Sequence, residues 1–253
     1  MNPAYQAGTE FEDKFAKAIN DKKVDELNPN LKHFIAFIFP NLDKNEKIKC
    51  VKTDNICKPD VCIYQKNDYH FASLKSGLCE HLHMENIFSF LEFLREQKID
   101  ERIIHNYLLY HYGDGTTDGS GQKRISSVEI RFKFSEEIKQ INNAFNSSKE
   151  FIKAFADRVM WQGVDKNADR AEILYHGDID YGFFITRSEF RRHIDKKSWE
   201  YMERCIHIGP FVIRPKARYV NCEVKKEESR KIVAVSYPRL IFDMEYIYKI
   251  YNN

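Results

Sequence analysis

The sequence lacks the features that mark membrane and secreted proteins. No apolar run approaches the roughly 18 residues that a membrane-spanning helix needs, and the opening segment MNPAYQAGTEFEDKF contains no apolar signal region. The six cysteines show none of the dense spacing that is typical of a disulfide framework. We therefore expect a cytoplasmic protein with reduced thiols and no membrane partner.

The sequence also lacks an excess of charge of one sign. Lys and Arg total 40 and Asp and Glu total 38, which leaves a formal net charge of +2 although 31% of the residues are charged. A protein that coats a polyanion with its whole surface is thereby excluded, and any nucleic-acid surface must be local. The 253 residues, 43% of them hydrophobic, suffice for one large domain or two small ones.

Two common ligand motifs are missing as well. The glycine-rich segment 113–121 lacks the lysine and the serine or threonine of a phosphate-binding loop. We interpret it as a surface loop, with a DNA-contacting loop as the alternative. Several cysteine and histidine residues lie close together in the sequence, but none of the usual spacings between zinc ligands occurs. A structural zinc is therefore the less favoured interpretation of Cys57, Cys62, Cys79, His81 and His83.

Hydrophobic periodicity predicts the elements of the first half. Residues 10–20 have apolar side chains at helical spacing after Gly8 and Thr9, which predicts a capped helix. After a polar loop, the predicted elements are strands at 47–51, 61–65 and 70–75, with a hairpin turn at 66–68, a helix at 84–97 and a strand at 103–112. The order helix, three strands, helix, strand is typical of an α/β fold with a mixed sheet flanked by helices.

The second half has a less regular pattern. The predicted elements are a strand at 128–134, helix over 135–161, and from residue 173 strands that alternate with one helix near 188–204. We place a boundary after residue 134, so that residues 1–134 and 135–253 form two regions. One continuous domain is the alternative.

The predicted first helix carries a carboxylate on its apolar side. Glu12 precedes Phe15, Ala16 and Ile19 by three, four and seven residues, so it shares their buried stripe. A buried carboxylate usually has a charged partner or a metal ion. We therefore expect Glu12 to serve a site.

The strands at 61–65 and 70–75 carry the residues that point to chemistry. Asp60 opens the first strand in the segment KPDVCI, and Lys75 closes the second in HFASLKSG. Side chains two apart in a strand share a face, so Ser73 and Lys75 point the same way. Hydrolysis of a phosphodiester needs carboxylates that hold a hard divalent cation and a cationic group that orients the attacking water. Asp60 suits the first task and Lys75 the second.

This segment resembles the PD-(D/E)xK nuclease superfamily. Pro59 and Asp60 match the opening of its motif and Lys75 matches the closing lysine. The family core has the order helix, three strands, helix, strand, and a glutamate often follows a glycine on the first helix, as in the string GTEFE that ends at Glu12. The resemblance covers about the first 110 residues. It implies a restriction-endonuclease-like core with Mg²⁺ as cofactor, and it makes Glu12 a metal ligand.

One position departs from the family pattern, because Ser73 stands where the family has aspartate or glutamate. A serine brings no negative charge to a metal. Some restriction enzymes of the superfamily have such a serine, with a glutamate on the following helix in its place. The resemblance makes Glu85 the best candidate for that glutamate and Glu80 and Glu92 weaker ones; we expect Glu85 and Glu12 both to join Asp60 at the metal.

A second group of residues predicts a DNA-binding surface in the C-terminal half. Arginine reads guanine edges and lysine neutralises phosphates, and aromatic residues are interleaved with the basic ones. The residues that we expect to contact DNA are Arg187, Arg191, Arg192, Arg214, Lys216 and Arg218. An ordinary solvated face is the alternative.

Together with the resemblance, these observations favour a type II restriction endonuclease. It would cut double-stranded DNA as a homodimer, with residues 1–134 as the nuclease core and residues 135–253 as an α+β recognition region. A structure-specific repair or junction nuclease and a non-catalytic DNA-binding protein with a decayed site are the alternatives. In a wholly unrelated α/β protein, Asp60 would be a turn residue and Lys75 an edge lysine.

Overall fold

A computed structural model of the chain describes residues 3–53, 58–76, 81–121, 124–199, 205–216 and 227–251. The chain divides into two compact units. Unit 1 consists of Met1–Cys79, Ala156–His193 and Arg239–Asn253, and unit 2 of Glu80–Phe155 and Ile194–Pro238. Both units join segments that are distant in sequence, whereas the sequence predicted one boundary after residue 134. The assignment of a catalytic and a recognition region stays a prediction.

The elements are numbered in chain order. The helices are α1 (Pro3–Ile19), α2 (Pro29–Ile38), α3 (Ile87–Glu96), α4 (Glu101–Tyr112), α5 (Ser127–Lys133), α6 (Ser135–Phe145), α7 (Lys149–Ala156), α8 (Arg187–Lys196), α9 (Glu227–Arg230) and α10 (Leu240–Tyr251). The strands are β1 (Lys49–Lys52), β2 (Val61–Gln65), β3 (Asp68–Ser76), β4 (His83–Asn86), β5 (Ile173–Gly177), β6 (Gly182–Thr186), β7 (Ile206–Ile208), β8 (Phe211–Pro215) and β9 (Ile232–Ser236). A π-helical segment covers Asp157–Gln162.

Unit 1 contains a mixed five-stranded sheet in the order β1-β2-β3-β5-β6. Neighbouring strands are antiparallel except β3 and β5, which are parallel. The three strands predicted in the first half are β1, β2 and β3. The hairpin turn between β2 and β3 is also confirmed, with Lys66 at a φ of 57°. The predicted α/β fold with a mixed sheet flanked by helices is thus observed.

Helices α1 and α2 cover one face of this sheet. Phe15 and Phe34 are fully buried, and their rings lie 4.9 Å and 5.1 Å from the ring of Tyr175 on β5. Burying one such side chain stabilises the fold by about 1.5–3 kcal/mol. On β3, Ala72 and Leu74 join this core. Ser73 and Lys75 alternate with them and therefore point to the opposite face.

Unit 2 contains a four-stranded antiparallel sheet in the order β4-β9-β8-β7, flanked by helices. Its core is aromatic: the ring of Phe90 lies 5.2 Å from that of Tyr107 and 6.0 Å from that of Phe155. Phe155 also packs edge-on to Phe211 of β8, at 5.4 Å. Helices α3, α4 and α7 are thereby held to the strands by ring contacts.

Two predicted strands are helices, so these predictions were wrong. Residues 103–112 belong to α4, where Asp100 caps the first turn by accepting a hydrogen bond from Arg102 N, and Gly113 ends the helix with a φ of 58°. Residues 128–134 lie almost entirely in α5, where Ser126 and Glu129 form a capping box. A short apolar run rich in aromatic and β-branched residues does not distinguish a strand from a helix.

Helix boundaries differ from the prediction at three places. Gly8 and Thr9 lie within α1 and do not cap it. Residues 29–38, predicted as part of a loop, form α2, which begins at Pro29 with Asn28 as its cap. The predicted helix at 84–97 begins only at Ile87, because the preceding residues form β4 and pair with β9. Helix α10 was not predicted, whereas the helical region after Ser135 is confirmed.

No helix within the described ranges is long and apolar enough to cross a membrane. Cys50, Cys62 and Cys205 have free thiols. Burial raises the pKa of Cys50 to about 12, so its thiol is protonated and unreactive at neutral pH. Cys57 and Cys79 of the suggested zinc cluster lie outside the described residues.

Candidate active site

Asp60 lies immediately before β2, and its backbone extends the sheet. Its N–H donates to Ala72 O at 2.9 Å, and its carbonyl accepts from Thr53 N at 3.2 Å. The carboxylate Oδ2 accepts hydrogen bonds from Leu74 N and from Ser73 Oγ, the latter at 3.0 Å. These contacts hold the carboxylate in one orientation while 19% of the side chain stays exposed.

Lys75 lies beside this carboxylate near the end of β3. Its Nζ is 3.5 Å from Asp60 Oδ2 and donates a hydrogen bond to Leu74 O at 2.9 Å. The lysine side chain is 15% exposed. The structure therefore brings together the two residues that the sequence singled out, and it joins them as an ion pair within reach of solvent.

Ser73 is fully buried at the position where the family motif has an acid. Its hydroxyl donates to Asp60 and so orients the carboxylate. A hydroxyl adds no negative charge, but it satisfies one carboxylate lone pair and leaves the other oxygen, Oδ1, for a further ligand. Ser73 thus contributes to the site only by orienting the Asp60 carboxylate.

Glu12 reaches the same neighbourhood from α1. Burial raises the pKa of its carboxyl above the usual range, and the negative charge of Asp60 raises the pKa further, whereas Lys52 and Lys75 lower it. Glu12 Oε2 is 3.2 Å from Lys52 Nζ, which also lies 3.1 Å from Asp13 Oδ1. Glu12 is partly buried and its carboxylate is paired with Lys52 of β1; its role at a metal stays a prediction.

Two further residues of this site escaped the sequence reasoning. One is Lys52. The other is His176 on β5, which is in register with Lys75 and therefore points to the same face of the sheet. His176 is buried, which lowers its pKa, and the charge of Lys75 lowers the pKa further, so its imidazole is neutral at pH 7. No local motif marks His176, since its contact with Lys75 spans 101 residues of sequence.

Glu85 is not one of the residues that unit 1 brings together. It belongs to unit 2 and lies on β4, whereas the sequence placed it on the following helix. Its side chain is buried, with Oε1 3.4 Å from His83 Nε2. Glu92 is exposed on α3 of the same unit, and Glu80 lies outside the described residues. A role for Glu85 at the metal stays a prediction.

Most of the residues expected to contact DNA are described. Arg187 forms a bidentate ion pair with Asp157, at 2.7 Å and 2.6 Å, and Arg191 donates to the same carboxylate at 2.7 Å. One carboxylate therefore neutralises part of this basic pair. The remaining predicted contacts are Arg192, exposed on α8, Arg214, half-buried on β8, Lys216, exposed after β8, and Arg218, which lies outside the described residues.

The donor set of unit 1 suits a magnesium ion. Within the described part of the chain, no group of three or more His, Cys, Asp or Glu side chains is arranged to hold a metal. Mg²⁺ in phosphate-processing sites typically takes only one or two carboxylates and completes its shell with water and substrate oxygens. Glu12 and Asp60 supply two carboxylates whose charges interact, which is the number that such a site needs; magnesium binding here stays a prediction.

Comparisons with known proteins do not assign the chain to a family. No protein-family model matches it, and no curated protein matches it significantly. The geometry of the site and the motif around Asp60 and Lys75 are therefore the features that point to a function.

Proposed function

We propose that the protein is a magnesium-dependent endonuclease that hydrolyses phosphodiester bonds of double-stranded DNA. The observation that carries this proposal is the cluster of Asp60, Lys75 and Glu12, two carboxylates and an ammonium group that remain partly open to solvent. A site of this composition can hold a divalent cation and position a water molecule next to a phosphate.

The topology of unit 1 supports the same proposal. A helix, α1, precedes three antiparallel strands, and a further strand, β5, runs parallel to the third. The sequence assigned the fourth strand of the family core to residues 103–112. In the structure β5 occupies the place beside β3, and residues 80–155 of unit 2 lie between these strands in sequence.

In the proposed mechanism, Asp60 and Glu12 bind the metal and Lys75 orients the attacking water. Lys52 and Lys75 neutralise the two carboxylates before metal and substrate arrive. Ser73 and the Leu74 amide hold Asp60 in place. His176 stays neutral and adds no charge that would oppose a cation. Magnesium, when bound, supplies Lewis-acid stabilisation of the negative charge that develops on the phosphate and the leaving oxygen.

We further propose sequence-specific cleavage of the type II restriction kind, by a homodimer whose two sites cut the two strands. Incubation with a supercoiled plasmid and millimolar Mg²⁺ should give discrete fragments, and EDTA should abolish them. Cleavage only of branched or damaged DNA would favour a repair or junction nuclease. Duplex binding without metal-dependent cleavage would overturn the catalytic proposal and establish a binding protein with a decayed site.

A stability measurement tests the charge state of Glu12. Its carboxyl has a raised pKa in the folded state, so the stability it contributes is present at low pH and is lost as the pH rises through that pKa. Glu12→Gln mimics the protonated form. Without metal at pH 7.5, Glu12→Gln should therefore raise the melting temperature by up to a few degrees. The difference should vanish near pH 4, where Glu12 of the native protein is protonated too.

Magnesium should reverse the order of the melting temperatures of the native protein and Glu12→Gln. Ligands that bind only the folded state stabilise it, so millimolar MgCl₂ should raise the melting temperature of the native protein and leave Glu12→Gln nearly unchanged. Glu10→Gln, on the exposed side of the same helix, is the matched control and should respond to Mg²⁺ like the native protein. An equal response of Glu12→Gln to Mg²⁺ would remove Glu12 from the metal site.

A further inference from the structure

Unit 2 contains a small cavity with an unusual lining. It has a volume of about 70 Å³ and lies between the end of α4, helix α5 and strand β8. Three arginines line it, together with Ser127 and Tyr110 among others: Arg124, Arg131 and Arg214. The sequence singled out only Arg214, as a residue of a basic surface, and the proposed catalytic site uses none of the three.

All three arginines lie near the side chain of Tyr110, which also lines the cavity. Burial raises the pKa of the Tyr110 hydroxyl to about 12, and the positive charges of Arg124, Arg214 and Arg131 all act to lower that pKa. All three charges therefore act near the same hydroxyl. Arginine does not lose its proton in proteins, so all three charges are present at every physiological pH. Arg124 also lies within the electrostatic reach of Arg230 and Asp114, and burial lowers its pKa.

No carboxylate of the described residues forms an ion pair with Arg124, Arg131 or Arg214. Other half-buried arginines of the chain differ in this respect, since Arg187 and Arg191 bind Asp157, and Arg230 binds Asp114. Within the described part, Arg124 donates only to the backbone carbonyls of His111 and Tyr110, each at 3.4 Å. Its Nη1 is buried and has no hydrogen-bond partner there.

Such an arrangement is stabilised by an anion. A guanidinium group presents donors in a planar fork that matches the oxygens of phosphate, and the Ser127 hydroxyl adds a further donor. A cavity needs about 10–15 Å³ of such volume to hold one water molecule. A volume of about 70 Å³ therefore has room for a small oxyanion such as phosphate.

We propose that Arg124, Arg131 and Arg214 form a phosphate-binding pocket in unit 2. The phosphate belongs either to the backbone of duplex DNA or to a free phosphate compound. The assignment of the phosphate to duplex DNA rests on the proposed function, whereas the assignment of the phosphate-binding pocket does not.

The experiment uses the whole chain and measures binding, not cleavage, in EDTA. Inorganic phosphate is titrated against the protein at constant ionic strength, and a fluorescent duplex is titrated at several salt concentrations. Arg214→Gln should abolish the response to phosphate, weaken duplex binding about tenfold and reduce the slope of log K against log salt by about one. Arg102→Gln, which removes an exposed charge on α4 of the same unit, is the control and should change duplex affinity less than twofold.

The outcomes separate the two sources. Loss of both responses in Arg214→Gln supports a DNA backbone phosphate, and loss of the phosphate response with unchanged duplex affinity supports a free phosphate compound. If phosphate does not bind to the native protein, or binds equally to Arg214→Gln, the pocket assignment is overturned. Arg131→Gln repeats the test at a more exposed member of the pocket, where a folding defect is not expected. A failure of catalysis would leave every one of these results unchanged.

Discussion

Asp60→Asn is expected to lower Mg²⁺-dependent cleavage of duplex DNA by roughly a thousandfold. Lewis-acid stabilisation by a metal is worth several kcal/mol, and each 1.36 kcal/mol is a factor of ten in rate. The amide keeps an oxygen that can accept from Ser73 Oγ and Leu74 N, the two groups that hold the native carboxylate. The substitution therefore removes the charge and preserves most of the geometry. Initial rates on a plasmid, with duplex affinity measured in parallel, provide the test.

Asp21→Asn is the matched control for this substitution. Asp21 is also paired with a lysine, Lys49, but half of its side chain is exposed. Its φ of 61° suits asparagine as well as aspartate. The control protein should cut at the native rate. Native-rate cleavage by Asp60→Asn would show that the metal site lies elsewhere.

Lys75→Ala is expected to reduce cleavage by about a hundred- to ten-thousandfold, the usual effect of losing a group that handles the proton or water in the transition state. Duplex affinity should change much less, because one phosphate contact is a small part of the total. The loss of activity should therefore appear as a lower cleavage rate at saturating DNA concentration. Lys75→Arg should recover only part of the activity, because the planar guanidinium does not replace a compact ammonium group.

The control for Lys75 lies on the same sheet. Lys49 of β1 is 43% exposed and paired with Asp21, so Lys49→Ala removes a lysine of similar length without touching the site. Equal cleavage by Lys75→Ala and Lys49→Ala would mean that Lys75 only balances the charge of Asp60. Melting temperatures of both variants show whether any loss of activity reflects unfolding.

The proximity of Asp60 to Lys75 was predictable because it is a local contact. Only the turn at residues 66–67 separates β2 from β3, so the hairpin register places Asp60 next to Ala72 and within reach of Lys75. The alternation of side chains in a strand then puts Ser73 and Lys75 on one face. The helical position of Glu12 followed from periodicity in the same way.

The pairing of β5 with β3 was not predictable by these means, although the strand itself agrees with the strands predicted from residue 173. Residues 103–112 are a short apolar run rich in aromatic residues, and periodicity does not decide whether such a run forms a strand or a helix. In the structure, residues 103–112 are buried by packing within unit 2, where Tyr107 contacts Phe90 and Phe145. Tyr175 of β5 instead contacts Phe15 and Phe34 in unit 1.

The basic residues of α8 also show that the sequence alone does not reveal contacts between distant segments. Their charge and spacing predicted a DNA-facing surface, but Asp157, some 30 residues earlier in sequence, binds both Arg187 and Arg191. The three arginines of the unit 2 pocket have no carboxylate ion pair within the described part, and only Arg214 among them stood out in the sequence. Which ion pairs form depends on which segments of the chain come into contact, and the amino-acid composition carries no information about those contacts.

The sequence by itself determined the hairpin that carries Asp60 and Lys75, the helix that carries Glu12 and the absence of an acid at Ser73, because turns, alternation and helical spacing act between near neighbours in the chain. Only the tertiary structure decided that β5 lies beside β3, that His176 accompanies Lys75, that Lys52 pairs with Glu12 and that three arginines share one cavity. Apart from Arg124 and Arg131, which are close in sequence, those contacts join residues from about 40 to about 100 positions apart. They form only when the buried faces of distant segments pack together.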